Sequence, residues 1–181
     1  MIRWLTLGVA LLVGGCASLP KPPPERPEFA AFALNGRVSI SYRDERHSAG
    51  LHWTHRAQSD EILLLTPLGQ TAARLYRDDR SATLEANGKY HQATNIESLM
   101  RQSLGWYLPM NGLHHWVLGM HDPEIPARIE RDEDGRIAVL HQGGWEIHYL
   151  RYEDAMPSRM QLDREDMQVK LLIDEWDWSP Q

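Results

Sequence analysis

Leu34-Asn35-Gly36-Arg37-Val38-Ser39-Ile40-Ser41-Tyr42 places Leu34, Val38, Ile40 and Tyr42 on one parity, with Asn, Arg and Ser on the other. Successive side chains of a strand point to opposite faces, so this period of two predicts a half-buried β-strand. After a polar break at residues 43–46, Ala49, Leu51 and Trp53 resume the alternation, as the antiparallel partner of a hairpin would. Working outward, further strands are predicted at 61–66, 72–77, 82–86 and 89–93, the last two joined by Asn87-Gly88, a two-residue hairpin signal. In the C-terminal half, Ile129, residues 137–140, Trp145-Ile147-Tyr149, Met160-Leu162 and Val169-Leu171-Ile173 complete about eleven strands with short turns. No helix alternates with them, which argues against a parallel sheet.

The exception is 95–120, where Ile96, Leu99, Met100 and Leu104, then Leu113, Trp116 and Val117, recur at helical spacing. Two short helices are expected, with Asn95 as an N-cap and Gly105 and Gly119 as stops. A helix pair lying on a curved antiparallel sheet buries its apolar face on one side, where a cavity can form.

The N-terminus reads as a processing signal. Met1-Ile2-Arg3 is a short positive start, an apolar run follows to Val13, and Val13-Gly14-Gly15 leads into Cys16, the only cysteine. The run is about ten residues, half of what a bilayer span needs. Residues 1–15 are therefore expected to be a signal peptide, and Cys16 the lipid-bearing mature N-terminus. The site resembles the bacterial lipobox, which implies a diacylglycerol on the Cys16 sulfur and a further acyl chain on its amino group. Several chains hold firmly where one does not. Ala17-Ser18 follow rather than aspartate, which by the sorting rule of such lipoproteins implies the outer membrane. Residues 19–27 hold five prolines and read as a polyproline stalk within a 16–31 tether, leaving 32–181 as the folded domain.

Losing the first 15 of 181 residues removes Arg3 and no acidic residue, taking the formal charge from −6 to −7. That is one domain of ordinary size, and 42% hydrophobic residues with seven tryptophans suffice for a core. An acidic balance without a basic stripe argues against nucleic acid and against electrostatic adhesion to anionic lipid, so membrane attachment is expected to come from Cys16.

Nine histidines invite a metal or catalytic reading. His52 and His55, three apart on a strand, face opposite ways, and the adjacent His114 and His115 are expected to diverge on a helix. No zinc-protease, nucleophile-elbow, P-loop or dinucleotide motif is present. The acidic run 130–134 before Gly135 reads as a solvated hairpin turn, lacking the spaced ligands of a calcium loop. A glycosidase pair is set by distance in the fold, so the sequence leaves it open. No enzymatic activity, metal or cofactor is expected.

Thr66-Pro67-Leu68-Gly69 joins two apolar strands. Proline suits the second place of a type I turn and glycine the fourth, which puts Leu68 near the tip. Leu68 either folds back on its own sheet or dips into a bilayer or a partner. In the second case one leucine contributes roughly 1.5–3 kcal/mol of burial, useful to a protein already tethered by lipid.

At these residues the chain resembles the outer-membrane lipoprotein receptor family LolB. The resemblance runs from about Phe32 to Trp176. It is carried by Gly36-Arg37, Leu51-His52-Trp53, Leu63-Leu64-Leu65-Thr66-Pro67-Leu68-Gly69, Leu108-Pro109, Leu113-His114-His115-Trp116-Val117-Leu118-Gly119, Gly144-Trp145-Glu146-Ile147-His148-Tyr149, Met156-Pro157 and the closing Lys170-Leu171-Leu172-Ile173-Asp174-Glu175-Trp176. It implies a mainly β fold: an incomplete, open antiparallel β-barrel with short helices covering an apolar cavity.

The implied function is a monomeric outer-membrane receptor, facing the periplasm. It takes acylated lipoproteins from a LolA-like periplasmic carrier and inserts them, without ATP, into the inner leaflet of the outer membrane, with its phospholipid as the final partner. Leu68, with Pro67 and Gly69, matches the family's protruding insertion turn. By strand parity and this resemblance the acyl-chain cavity is assigned to Val38, Ile40, Leu51, Trp53, Leu64, Leu75, Leu84, Ile147, Leu171 and Ile173 from the sheet, and Leu99, Leu113, Trp116 and Val117 from the helices. The alternative is a static outer-membrane assembly lipoprotein whose apolar face binds another protein.

Overall fold

Alternating sequence builds eleven strands in the computed structural model, which describes residues 31–57 and 59–180. They are β1 (Phe32–Tyr42), β2 (Glu45–Arg56), β3 (Ser59–Leu65), β4 (Thr71–Arg77), β5 (Ala82–Ala86) and β6 (Lys89–Ala93), then β7 (Ala127–Arg131), β8 (Ile137–Gln142), β9 (Trp145–Glu153), β10 (Met156–Arg164) and β11 (Met167–Asp177). Two helices, α1 (Ile96–Leu104) and α2 (Met110–Val117), stand between β6 and β7. The readings on residues 1–15, Cys16 and the stalk lie outside the described residues.

The strands form one antiparallel sheet in the order β6-β5-β4-β3-β2-β1-β11-β10-β9-β8-β7. Only β1 and β11 are neighbours far apart in sequence, so the first and last strands close the middle of the sheet while β6 and β7 remain its edges. The barrel is therefore open. Every described buried core residue lies between Phe32 and Ile173, so this stretch carries a hydrophobic core of its own.

The central seam depends on Gly36. The β1–β11 register shifts between Asn35 and Gly36, and a Cβ at Gly36 would run into the carbonyl oxygen of Leu172. Glycine permits that close approach of two backbones.

The helices begin and end as their caps dictate. Asn95 Oδ1 accepts from the Ser98 amide at 2.8 Å, and Gly105 stops α1 in the left-handed region at φ 79°, its N–H donating to the Arg101 carbonyl. Ile96, Leu99 and Met100 face inward, against β5 and β6. α2 starts after Pro109 with no side-chain cap, and Gly119 closes its exit at φ 70°. The acidic run becomes a tight exposed turn in which Asp132 accepts from the Arg136 side chain at 2.8 Å.

Some boundaries move. β3 starts at Ser59 and ends at Leu65, releasing Thr66 to the turn, and β9 and β11 extend to Glu153 and Asp177. At these ends the parity of Ile147 and Ile173 turns polar, at Arg151 and Glu153 and at Glu175 and Asp177, so the inward apolar alternation lapses there.

Candidate lipid-binding cavity and apolar turn

The inward faces of β1 to β5, β10 and β11 meet the underside of α1, the connector after it and α2 around a cavity of about 100 Å³ whose lining is wholly apolar. Of the residues predicted from sequence, Val38, Ile40, Leu51, Trp53, Leu64, Leu75, Leu84, Leu113 and Leu171 line it. Leu99, Trp116, Val117, Ile147 and Ile173 do not; each is 4% exposed or less and packs as core. Trp116 instead points to β8, its indole N–H donating to Gln142 Oε1 at 2.8 Å.

The structure adds Ile62, Ala73, Leu162 and Val169 from the sheet, and Met100, Leu104, Trp106, Leu108 and Met110 from the roof. The sheet additions share parity with predicted neighbours and were accessible to the same reasoning. Trp106 and Leu108 sit in an irregular connector with no period to betray them.

The two helices are held differently. At the far end of α2, Gln142 bridges the indole of Trp116 and the carbonyls of Asp122 and Ile125, and the Tyr149 hydroxyl donates to the Trp116 carbonyl at 2.9 Å. At its near end, Arg77 reaches Asn111 Oδ1 at 2.9 Å. Arg77 Nε also donates to Asp60, a carboxylate 1% exposed that accepts in addition from Trp53 Nε1 and His55 Nδ1, each at 2.8 Å. Burial pushes the Asp60 carboxyl up, but the His55 hydrogen bond and the Arg77 charge outweigh it and hold the group below the usual aspartate value. Among the described residues, α1 has only its apolar face and the Arg101 guanidinium over the Tyr107 ring, 4.4 Å away, beside its caps.

His52 and His55 do face opposite ways: His52 bonds Asn35 on the outside, while His55 is buried. His114 and His115 do not diverge as expected. Their ring centroids are 3.9 Å apart, because His115 Nδ1 turns back to the Asn111 carbonyl and lays its ring against His114, which itself stacks on His55 at 5.0 Å. Burial, then the neighbouring His115 and His55, lower the His114 pKa to about 4. No group of three or more potential ligands among the described residues is arranged to hold a metal ion.

The 66–69 turn is the other apolar feature. The Gly69 N–H donates to the Thr66 carbonyl at 2.9 Å, the Thr66 hydroxyl accepts from the Gln70 amide at 3.2 Å, and Gly69 takes φ 79°. Leu68 keeps a negative φ, as the third place of a type I turn requires. Its side chain is 86% exposed, so it does not fold back on the sheet.

An open antiparallel half-barrel roofed by two helices over a wholly apolar cavity defines the class of proteins built to hold an apolar ligand. A solved LolA superfamily protein from Nitrosomonas europaea shares this fold, with a TM-score of 0.54 over 86% of this chain and 89% of its own, at 8% identity. The family described as Outer membrane lipoprotein LolB matches residues 30–176. The Outer-membrane lipoprotein LolB of Chromobacterium violaceum is 38% identical, covering 96% of this chain and 98% of its own length. That of Nitrosomonas europaea is 34% identical over 96% and 92%. The chain belongs to the LolB family of outer-membrane lipoproteins, which are localisation factors and not enzymes.

Proposed function

We propose that this protein, anchored at Cys16 to the outer membrane, receives the acyl chains of lipoproteins from a LolA-like periplasmic carrier. It releases them into the inner leaflet with Leu68 leading. The observation that carries the reading is the pairing of a wholly apolar cavity with a leucine 86% exposed on a tight turn. At ~0.8 kcal/mol per methylene, an acyl chain of roughly sixteen carbons represents on the order of 12 kcal/mol against water. Such cargo needs apolar cover at every step, and transfer runs downhill from carrier to cavity to bilayer with no nucleotide.

A cavity of about 150 Å³ takes one benzene. The space of about 100 Å³ is too small for one acyl chain, so cargo must widen it. α1 is the element that gives way, since α2 is pinned at both ends by polar contacts.

Transfer from carrier to liposomes, with wild type compared to Leu68→Glu, tests this. Cargo is expected to reach both proteins, while entry into liposomes falls at least tenfold with the variant, as losing one buried leucine implies. If neither protein accepts cargo, the receptor reading fails and the assembly-subunit reading replaces it.

A further inference from the structure

On the outer face of the sheet, a groove of about 810 Å³ runs beside the Leu68 turn, with Thr66, Pro67 and Gly69 in its wall. Across strands the register aligns Leu65, Gly50, Arg37, Leu172 and Arg159 in one row, with Ser39, Lys170 and Gln161 in the next. The row spans four strand spacings, roughly 19 Å. Gly50 lacks a side chain, and the Leu65 side chain lies close against it.

The charge of this groove departs from that of the chain. Acidic residues outnumber basic ones, 25 to 19, yet the lining holds Arg37, Arg159 and Lys170 and, among the described residues, no carboxylate. Arg37 has one exposed partner, Asp174 at 3.3 Å. Arg159 and Lys170 enter no ion pair among the described residues. Leu172 stands between Arg37 and Arg159, Leu65 closes the row at its β3 end, and the exposed Leu150 forms the far rim. Cations with apolar side chains between them suit the phosphate level of a bilayer, where the stems lie on acyl surface and the heads reach phosphate.

We propose that this groove is a phospholipid headgroup site, in which Arg37, Arg159 and Lys170 hold lipid phosphates and lay the outer face on the membrane while Leu68 dips below it. The proposal rests on the reading of Leu68 as the inserting residue, because the turn and the groove then meet the same surface. The occupant is the bilayer itself and not the carrier: a membrane that admits Leu68 necessarily lies against the adjoining wall.

The test uses the chain without residues 1–16, which keeps every described core residue, so that acyl anchors do not mask a weak contact. Its binding to phosphatidylcholine vesicles, with and without phosphatidylglycerol, is measured by flotation for wild type, Arg159→Gln/Lys170→Gln and Arg80→Gln/Arg131→Gln. The last pair carries the same charge change at the opposite end of the sheet, in the β4–β5 turn and at the end of β7. Wild-type binding is expected to rise with phosphatidylglycerol and fall with added salt. The groove pair should lose about fivefold per cation removed, and the distal pair should match wild type. Equal loss in both pairs, or none in the groove pair, overturns the proposal. So does a groove pair that binds vesicles normally but no longer accepts cargo from the carrier, since the face is then a protein-docking surface. Cargo acceptance unchanged in the groove pair leaves the receptor reading standing whatever the vesicles show.

Discussion

Asp60→Ala is expected to lower stability by about 3–5 kcal/mol, read as a fall in the denaturant midpoint without a change in slope. The carboxylate is 1% exposed and is the shared acceptor for Trp53, His55 and Arg77. Removing it strands the Arg77 guanidinium, 23% exposed, without its partner, and leaves two buried N–H groups unpaired. The damage does not stay local. Trp53 is cavity wall on β2, Asp60 lies on β3, Arg77 on β4, and Arg77 continues to Asn111 in α2. Four elements around the cavity lose a common tie. Asp60→Asn keeps the shape and one acceptor oxygen, so it should lose less; a loss as large as alanine's would mean that charge dominates.

The same cluster sets an acid response. His114 is held at about 4 in the folded chain against 6.5 for the free side chain. Between those values the unfolded chain binds a proton that the folded chain refuses, so stability declines as pH falls from about 6.5 to about 4. Asp60, depressed below its ordinary 3.8, extends the loss to lower pH, because its contribution disappears only as it protonates in the fold. His114→Phe keeps a ring against His55 and should flatten the upper window while leaving the lower one. A denaturation series from pH 7 to pH 3 separates the two, and an unchanged slope between 6.5 and 4 in the variant would remove His114 as the cause.

How far the sequence carries is visible in which residues it placed. The period of two in β1 and β2 fixed the inward face, the Asn87-Gly88 signal became a hairpin with both residues at positive φ, and Asn95 and Gly105 bounded α1 as their chemistry requires. The place of Leu68 near a turn tip followed from proline and glycine at fixed positions, whereas its exposure, which the sequence left open against folding back, is set by the structure. What parity could not supply is which part of the inward face the helices roof. Val38 and Ile40 on β1 look into the cavity, whereas Ile147 on β9 and Ile173 on β11, equally apolar and equally inward, are packed filler. That division is made by the curvature of the sheet and by where α1 and α2 rest. The histidine contacts escaped for a related reason: His55 and His114 are far apart in the chain, and only the docking of α2 on β2 stacks them.

The distinction between wall and filler yields the expectation with the largest functional effect. Ala73 on β4 is a small side chain on the cavity wall, in register with Leu64 and Ala86, both packed at the same core. Ala73→Phe places a phenyl ring in a space of about 100 Å³. Excluding even four methylenes of a chain forfeits about 3 kcal/mol at ~0.8 kcal/mol each, so cargo acceptance should drop more than a hundredfold. Stability should change little or fall by no more than about 1–3 kcal/mol, the range for an overfilled core. Leu99→Ala supplies the contrast. Leu99 is 1% exposed and lies outside the lining, so truncating it should cost about 2–5 kcal/mol of stability while each folded molecule still accepts cargo. Carrier-to-receptor transfer, normalised to the folded fraction from the denaturation curve, reads both at once. If Ala73→Phe accepts cargo as wild type does, acyl chains do not enter beneath α1, and the apolar space there is a packing defect of the half-barrel and not its binding site.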